Sequence, residues 1–166
     1  MADKDQGFTL VEVLIVIALL AIVVAVAVPA LDDFIARNRQ QTLMEQIETA
    51  MNNARADAVL RRRTIEICGS SNGQTCSGSW HTGLLVHSSS DNQLMSFTQL
   101  TSPSDIRWDG FGKSVRFYDN GSSPTSNGRI YLCHEQKVAW QLVLSRQGRL
   151  RRGSTIENRT SNKCGS

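Results

Sequence analysis

From Phe8 to Leu31 only Thr9, Glu12 and Pro29 interrupt an apolar run, and no other feature of the chain restricts its fold as much. About twenty apolar residues is the length of helix that spans a bilayer, and is longer than most buried core helices. A cleaved secretory signal also has to be weighed, because Ala25-Val26-Ala27 imitates a small-x-small cleavage site. Against it, the preceding segment Met1–Gln6 carries Asp3 and Asp5 beside Lys4, so it lacks the positive bias of a secretory leader. A plain membrane anchor fits the length, but Glu12 near its start does not, since a carboxylate in lipid costs several kcal/mol and asks for a functional reason.

The remainder of the 166 residues is rich in Ser, Gly, Asn and Thr, as short strands and turns would be. Such a head has a modest core and gains from staples. Cys68, Cys76, Cys133 and Cys164 supply them. No C-x-x-C and no Cys/His ligand spacing indicates zinc, so an even count behind a membrane segment reads as disulfides in an oxidising compartment rather than free thiols. Three pairings are possible; Cys68–Cys76, a short loop closure, with Cys133–Cys164, pinning the C-terminal tail, is preferred.

Gly7-Phe8-Thr9-Leu10-Val11-Glu12-Val13-Leu14 resembles the type III signal motif of type IV pilins and type II secretion pseudopilins. The resemblance implies a leader, residues 1–7, removed by prepilin peptidase between Gly7 and Phe8, followed by methylation of Phe8. It places residues 8–30 in the inner membrane and later in a filament core, with the head in the periplasm. Pro29 falls where these proteins often carry a helix-kinking proline. The acidic leader departs from the usual basic one. Cleavage would leave a cationic amino terminus on Phe8, about one helical turn from Glu12, and the two charges could be neutralised between neighbouring subunits on assembly.

Past Pro29, Leu43, Ile47, Ala50 or Met51, Ala54 and Ala58 recur at helical spacing, opposite Arg39, Gln41, Glu45, Glu48, Asn52 and Arg55. Residues 31–63 therefore read as an amphipathic helix, and the whole helix from Phe8 to Arg61 would be about 80 Å long. Strands are expected at Thr64–Cys68, Trp80–His87, Leu94–Leu100, Ser114–Tyr118, Gly128–Cys133 and Val138–Ser145, with a turn at Asp119-Asn120-Gly121. The fold class is α+β: a long helix packed on a small antiparallel two-sheet head, residues 64–166. From Val115 onward the order of segments resembles the GspH/FimT/FimU group of minor pilins and pseudopilins, ending in Gly148-Arg149-Leu150-Arg151.

That last segment carries the functional expectation. The net charge is +3, but between Ser145 and Ser166 Arg146, Arg149, Arg151, Arg152, Arg159 and Lys163 face Glu157 alone. In an extended segment Arg149 and Arg151 would lie on one side and Leu150 on the other. Guanidinium groups spaced in this way follow a phosphate backbone without reading bases. The motif resembles the Gly-Arg-x-Arg element of FimT-type minor pilins, which implies sequence-independent binding of double-stranded DNA in natural transformation through Arg146, Gly148, Arg149, Arg151 and Arg152. Arg61-Arg62-Arg63 reads instead as a solvated or subunit-facing patch, and Trp80, Trp108, Trp140, Tyr118 and Tyr131 as packing residues rather than base-stacking ones. Two other roles share the same leader, helix and fold: a subunit of the pilus priming complex, or the H-type pseudopilin of a type II secretion system. Partners would be other pilins or pseudopilins through the N-terminal helix, prepilin peptidase and inner-membrane lipid. No catalytic motif, cofactor or metal is expected. His81, His87 and His134 lack ligand spacing, and no Gly-x-Ser-x-Gly or phosphate-binding glycine loop occurs.

Overall fold

The computed structural model describes residues 9–100 and 105–165. Gly7 and Phe8 lie outside them. Helix α1 runs Leu10–Arg61 and continues through Pro29. The chain divides into two compact units, residues 1–39 and 40–166.

In the first unit Thr9 caps the helix: its Oγ1 accepts a hydrogen bond from the Glu12 amide at 3.3 Å, and its carbonyl accepts from Val13 at 3.2 Å. Glu12 thus sits in the first turn, where the helix dipole favours a negative charge. Every side chain from Leu10 to Phe34 is exposed. This stretch has no core of its own, and the helix is long and apolar enough to cross a membrane.

The second unit holds the whole hydrophobic core. Leu43, Ile47, Met51, Ala54 and Ala58 form the buried stripe of α1, with Ala50 half-buried beside them. The helix ends with Arg62 in the left-handed region (φ 50°), where the Arg63 amide donates to the Ala58 carbonyl and that of Arg62 to Val59. This is a Schellman closure, made by an arginine at the site where glycine is the usual occupant.

Among the described residues eight strands follow: β1 Ile65–Gly69, β2 Gly83–Ser88, β3 Leu94–Gln99, β4 Asp105–Gly110, β5 Ser114–Phe117, β6 Gly128–His134, β7 Lys137–Leu144 and β8 Leu150–Arg152. They form two antiparallel sheets, ordered β3-β2-β1-β5 and β4-β6-β7-β8. Ile65, Ile67, Leu84, Val115 and Phe117 of the first sheet and Ile130, Leu132 and Leu142 of the second bury against the helix stripe in one cluster. Trp80 and Trp140 are buried in it, and Trp80 stacks on the half-buried Trp108 at 5.7 Å between ring centroids. The second strand starts three residues later than its sequence suggests, because Trp80, His81 and Thr82 form a turn. Strands β4 and β8 and the short helix α2, Thr155–Arg159, are additions to the elements expected from the sequence.

Two disulfides staple the head. Cys68 joins Cys76 and closes the loop after β1; Cys133 of β6 joins Cys164 and holds the tail. In the chain-entropy account such closures stabilise by about 2–3 and 3–4 kcal/mol respectively, the longer loop giving more. With its own core and both staples, the second unit is the folding unit.

Candidate functional site

Strands β7 and β8 pair as a hairpin, with Leu144 opposite Leu150, Val143 opposite Arg151 and Leu142 opposite Arg152. The connection Ser145–Arg149 is a tight turn. The Gly148 amide donates to the Ser145 carbonyl at 2.9 Å, the Arg149 amide to Ser145 Oγ at 3.1 Å, and the Ser145 amide to the Arg149 carbonyl at 3.0 Å. Gly148 has φ of 72°, and a Cβ at this position would overlap the carbonyl oxygen of Gly121. Gly121 lies in the turn after β5, itself at φ 74°. Arg55 of α1 clamps both turns, donating from Nε to the Gly121 carbonyl at 2.9 Å and from Nη2 to the Gln147 carbonyl at 3.4 Å. The Arg146 carbonyl is held as well, by the Ser123 amide at 2.9 Å. The glycine of the Gly-Arg-x-Arg segment is therefore required by packing, whatever the arginines bind.

The arginines divide by face. Leu142 is fully buried, so its neighbour Arg152 lies on the core-facing side of the sheet, at the edge. There its Nε and Nη2 bond to Glu48 Oε2 of α1 at 2.9 and 2.7 Å, with Glu45 at 4.0 Å. Arg151 lies on the outer face, and its two terminal nitrogens bond to the two Glu157 oxygens at 2.9 and 2.8 Å. Glu157 is also the third residue of a capping box: its side chain accepts from the Ser154 amide while Ser154 accepts from the Glu157 amide. The Arg151 hydrogen bonds, then that from Ser154, hold the Glu157 carboxyl down at about 2. Glu157 in turn raises Arg151, and Glu48 raises Arg152. The Arg151–Glu157 pair is bidentate, one of the stronger charge-assisted arrangements, whereas Arg152 shares a single Glu48 oxygen between its two nitrogens.

Arg146 and Arg149 differ. Both are exposed, and among the described residues neither has a carboxylate partner; the same holds for Arg159 at the end of α2. Lys163 is paired with Asp109. Of the five residues expected to contact DNA, two arginines lie exposed on a fixed turn, two are held by carboxylates, and Gly148 is buried in the turn. Of the arginines at the end of α1, Arg61 pairs with Asp57 and Arg63 with Asp91, while Arg62 is exposed and has no carboxylate partner among the described residues.

One group of ligand-type atoms comes together elsewhere. The sulfurs of Cys68 and Cys76 and a ring nitrogen of His87 lie within 4.8 Å of one another, but both sulfurs are joined in the disulfide, leaving one imidazole for a metal.

Several positions that shape the site carry no charge-cluster signal. Glu48 lies 104 residues from Arg152, and Arg55 reads as part of the polar helix face. Glu157 had a legible signal, the Ser154-x-x-Glu157 spacing, as did Thr9 with Thr9-x-x-Glu12.

A long N-terminal helix with an apolar first half, and a two-sheet head against its second half, define a type IV pilin-like subunit. The chain belongs to the GspH family: the family described as Type II transport protein GspH matches residues 43–148. The prokaryotic N-terminal methylation motif matches residues 3–28. The head is similar in fold to the type IV minor pilin FimU of Pseudomonas aeruginosa strain PAO1, with a TM-score of 0.60 at 20% identity, covering 78% of this chain and 98% of that one. A second crystal form of the same minor pilin gives 0.53 at 19% identity, covering 74% and 98%. "Prepilin peptidase-dependent protein D" of Escherichia coli strain K12 is 32% identical over 78 residues, which is 46% of each chain. "Fimbrial protein" of Moraxella nonliquefaciens is 42% identical over 56 residues, 32% of this chain and 36% of that one. The chain thus spans half the length or less of these two relatives. Together they make it a type IV minor pilin or pseudopilin of the GspH/FimT/FimU group, a structural class rather than a catalytic one.

Proposed function

We propose that this chain is a non-enzymatic minor pilin, cut between Gly7 and Phe8, held in the inner membrane by residues 8–30 and then drawn into a type IV pilus, where its head binds DNA in uptake. The observation that supports DNA binding is the pair of exposed arginines, Arg146 and Arg149, without carboxylate partners among the described residues, on a turn fixed by Arg55 and Ser123. Arg151 can join them if a backbone phosphate replaces Glu157, since phosphate accepts the same two-pronged bond. Such binding is sequence-independent and weakens with salt. Glu12, next to the cap of α1, neutralises the amino terminus of a neighbouring subunit in the filament.

The test uses the head from residue 40 onward and labelled duplex DNA, measured by fluorescence polarisation across a salt series. Salt-sensitive binding that collapses on changing Arg149 and Arg151 together to Gln supports uptake; no binding at low salt removes it. Intact-mass analysis of the membrane-extracted protein checks the processing step, which predicts loss of residues 1–7 and a gain of one methyl group.

A second reading has an observation in its favour. Arg151 and Arg152 already serve internal carboxylates, as they would in a subunit whose basic face only holds the fold and a neighbour. In that case the chain is a priming-complex pilin or the H-type pseudopilin of a type II secretion system, and the DNA measurement is negative.

A further inference from the structure

The loop between β4 and β5 carries the most exposed aromatic side chain of the head. Phe111 is 77% exposed, and it stands between Gly110 and Gly112. The loop is anchored. Trp108 donates from Nε1 to the Gly112 carbonyl at 3.2 Å, and Trp108 is itself stacked on the buried Trp80. A Cβ on Gly110 would overlap the Trp108 ring, and Gly112 has φ of 76°. Sequence and packing thus leave an apolar ring exposed on an anchored loop.

The strand register shows what lies beside it. Gly110 pairs with Gly128, Gly128 with Leu144, and Leu144 with Leu150, one row across all four strands of the second sheet. Phe111 follows the row at β4; Arg146 and Arg149 flank it at the β7–β8 turn. All three therefore leave the same end of the sheet. At about 4.8 Å per strand, the end of β4 stands roughly 10–14 Å from the ends of β7 and β8. Lys113, exposed and among the described residues without a carboxylate partner, lies on the Phe111 side. Asp109, two residues before Phe111, is the nearest acid by sequence and is paired with Lys163; Asp119 is exposed in the turn against Gly148.

An exposed ring beside cations is the arrangement by which single-stranded nucleic acids are held: the base stacks and the cations follow the phosphates. A closed duplex offers phosphates to the cations but no base face to the ring. We infer that this end of the head prefers single-stranded or frayed DNA, with Arg146, Arg149 and Lys113 on phosphates and Phe111 stacked on an unpaired base. The inference rests on the DNA-binding reading above and adds the form of DNA recognised.

The head from residue 40 onward, with its own core and both disulfides, is titrated with three probes: a single-stranded oligonucleotide carrying 2-aminopurine, a blunt duplex of the same length, and closed circular DNA. The wild type should bind the single strand more tightly and quench 2-aminopurine. Phe111→Ala should weaken single-strand binding about tenfold and abolish quenching, while circular DNA changes less than about twofold. Phe111→Trp should keep both. Equal effects of Phe111→Ala on all three probes, or unchanged quenching, would overturn the stacking role while leaving backbone binding intact. Absence of binding to every probe would overturn both readings. Loss of Phe111-dependent contacts with a partner pilin, with DNA binding unchanged, would make Phe111 a protein anchor and likewise overturn the inference.

Discussion

Arg151 and Glu157, six residues apart, are joined by two parallel hydrogen bonds of 2.8 and 2.9 Å, and the same carboxylate caps the helix that follows. The most basic segment of the chain therefore carries its own competitor for phosphate.

Removing that competitor should strengthen DNA binding. Glu157→Gln keeps a side chain suited to the capping box but gives up the charge. The expected result is tighter binding of duplex DNA at low salt, because Arg151 no longer has to leave a carboxylate to reach a phosphate. Fluorescence polarisation at low salt reads the affinity, and unchanged or weaker binding would show that Glu157 does not compete with DNA for Arg151.

The pair also gives a pH dependence. The Glu157 carboxyl is lowered from 4.5 to about 2 in the folded head, so its contribution to stability is present above 4.5 and is lost as pH falls toward 2. Thermal unfolding of the wild type and Glu157→Gln should differ near neutral pH and converge near pH 2. Because the carboxylate is exposed, the difference should shrink in high salt. A difference that grows on acidification would contradict the assignment.

Gly148 tests the separation between turn and arginines. Gly148→Ala combines a positive φ with overlap on the Gly121 carbonyl, and should destabilise the head by about 2 kcal/mol or more. Gly112→Ala shares the positive φ but meets nothing within 4 Å, so it should cost only about 1 kcal/mol. Urea unfolding of the two variants reads the gap directly; equal losses would mean that the contact with Gly121 carries no weight.

The two disulfides should not be equivalent. Replacing Cys133 and Cys164 by Ser frees a loop of 31 residues, against 8 for Cys68 and Cys76. The first double variant should lose about 1 kcal/mol more than the second, measured by urea unfolding. It should also let go of the tail, raising hydrogen exchange in the residues around Cys164.

How far the sequence reaches is clear from particular elements. The helix face from Leu43 to Ala58 is legible because a 3.6-residue period repeats over four turns, and each of its apolar positions finds the core. Strand β4, Asp-Ile-Arg-Trp-Asp-Gly, is not, since its alternation rests on two apolar residues, Ile106 and the half-buried Trp108, too short a run to stand out from a loop. Strand β8 is three residues long and two of them are arginines, so only its pairing with β7 makes it a strand. Helix α2 buries nothing and is set by its cap. The site divides the same way: the clustering of Arg146, Arg149, Arg151 and Arg152 is read directly, whereas Glu48 reaches Arg152 only through the tertiary fold.

The most direct test compares two single variants of the head, Arg149→Gln and Arg151→Gln, in duplex DNA binding at low salt. Arg149 is free of carboxylates among the described residues, and Arg151 must first leave Glu157. The account predicts that both variants bind more weakly than the wild type and that Arg149→Gln loses more. Wild-type binding by both, or no binding by the unaltered head, would contradict it and leave the basic segment as a contact between protein subunits.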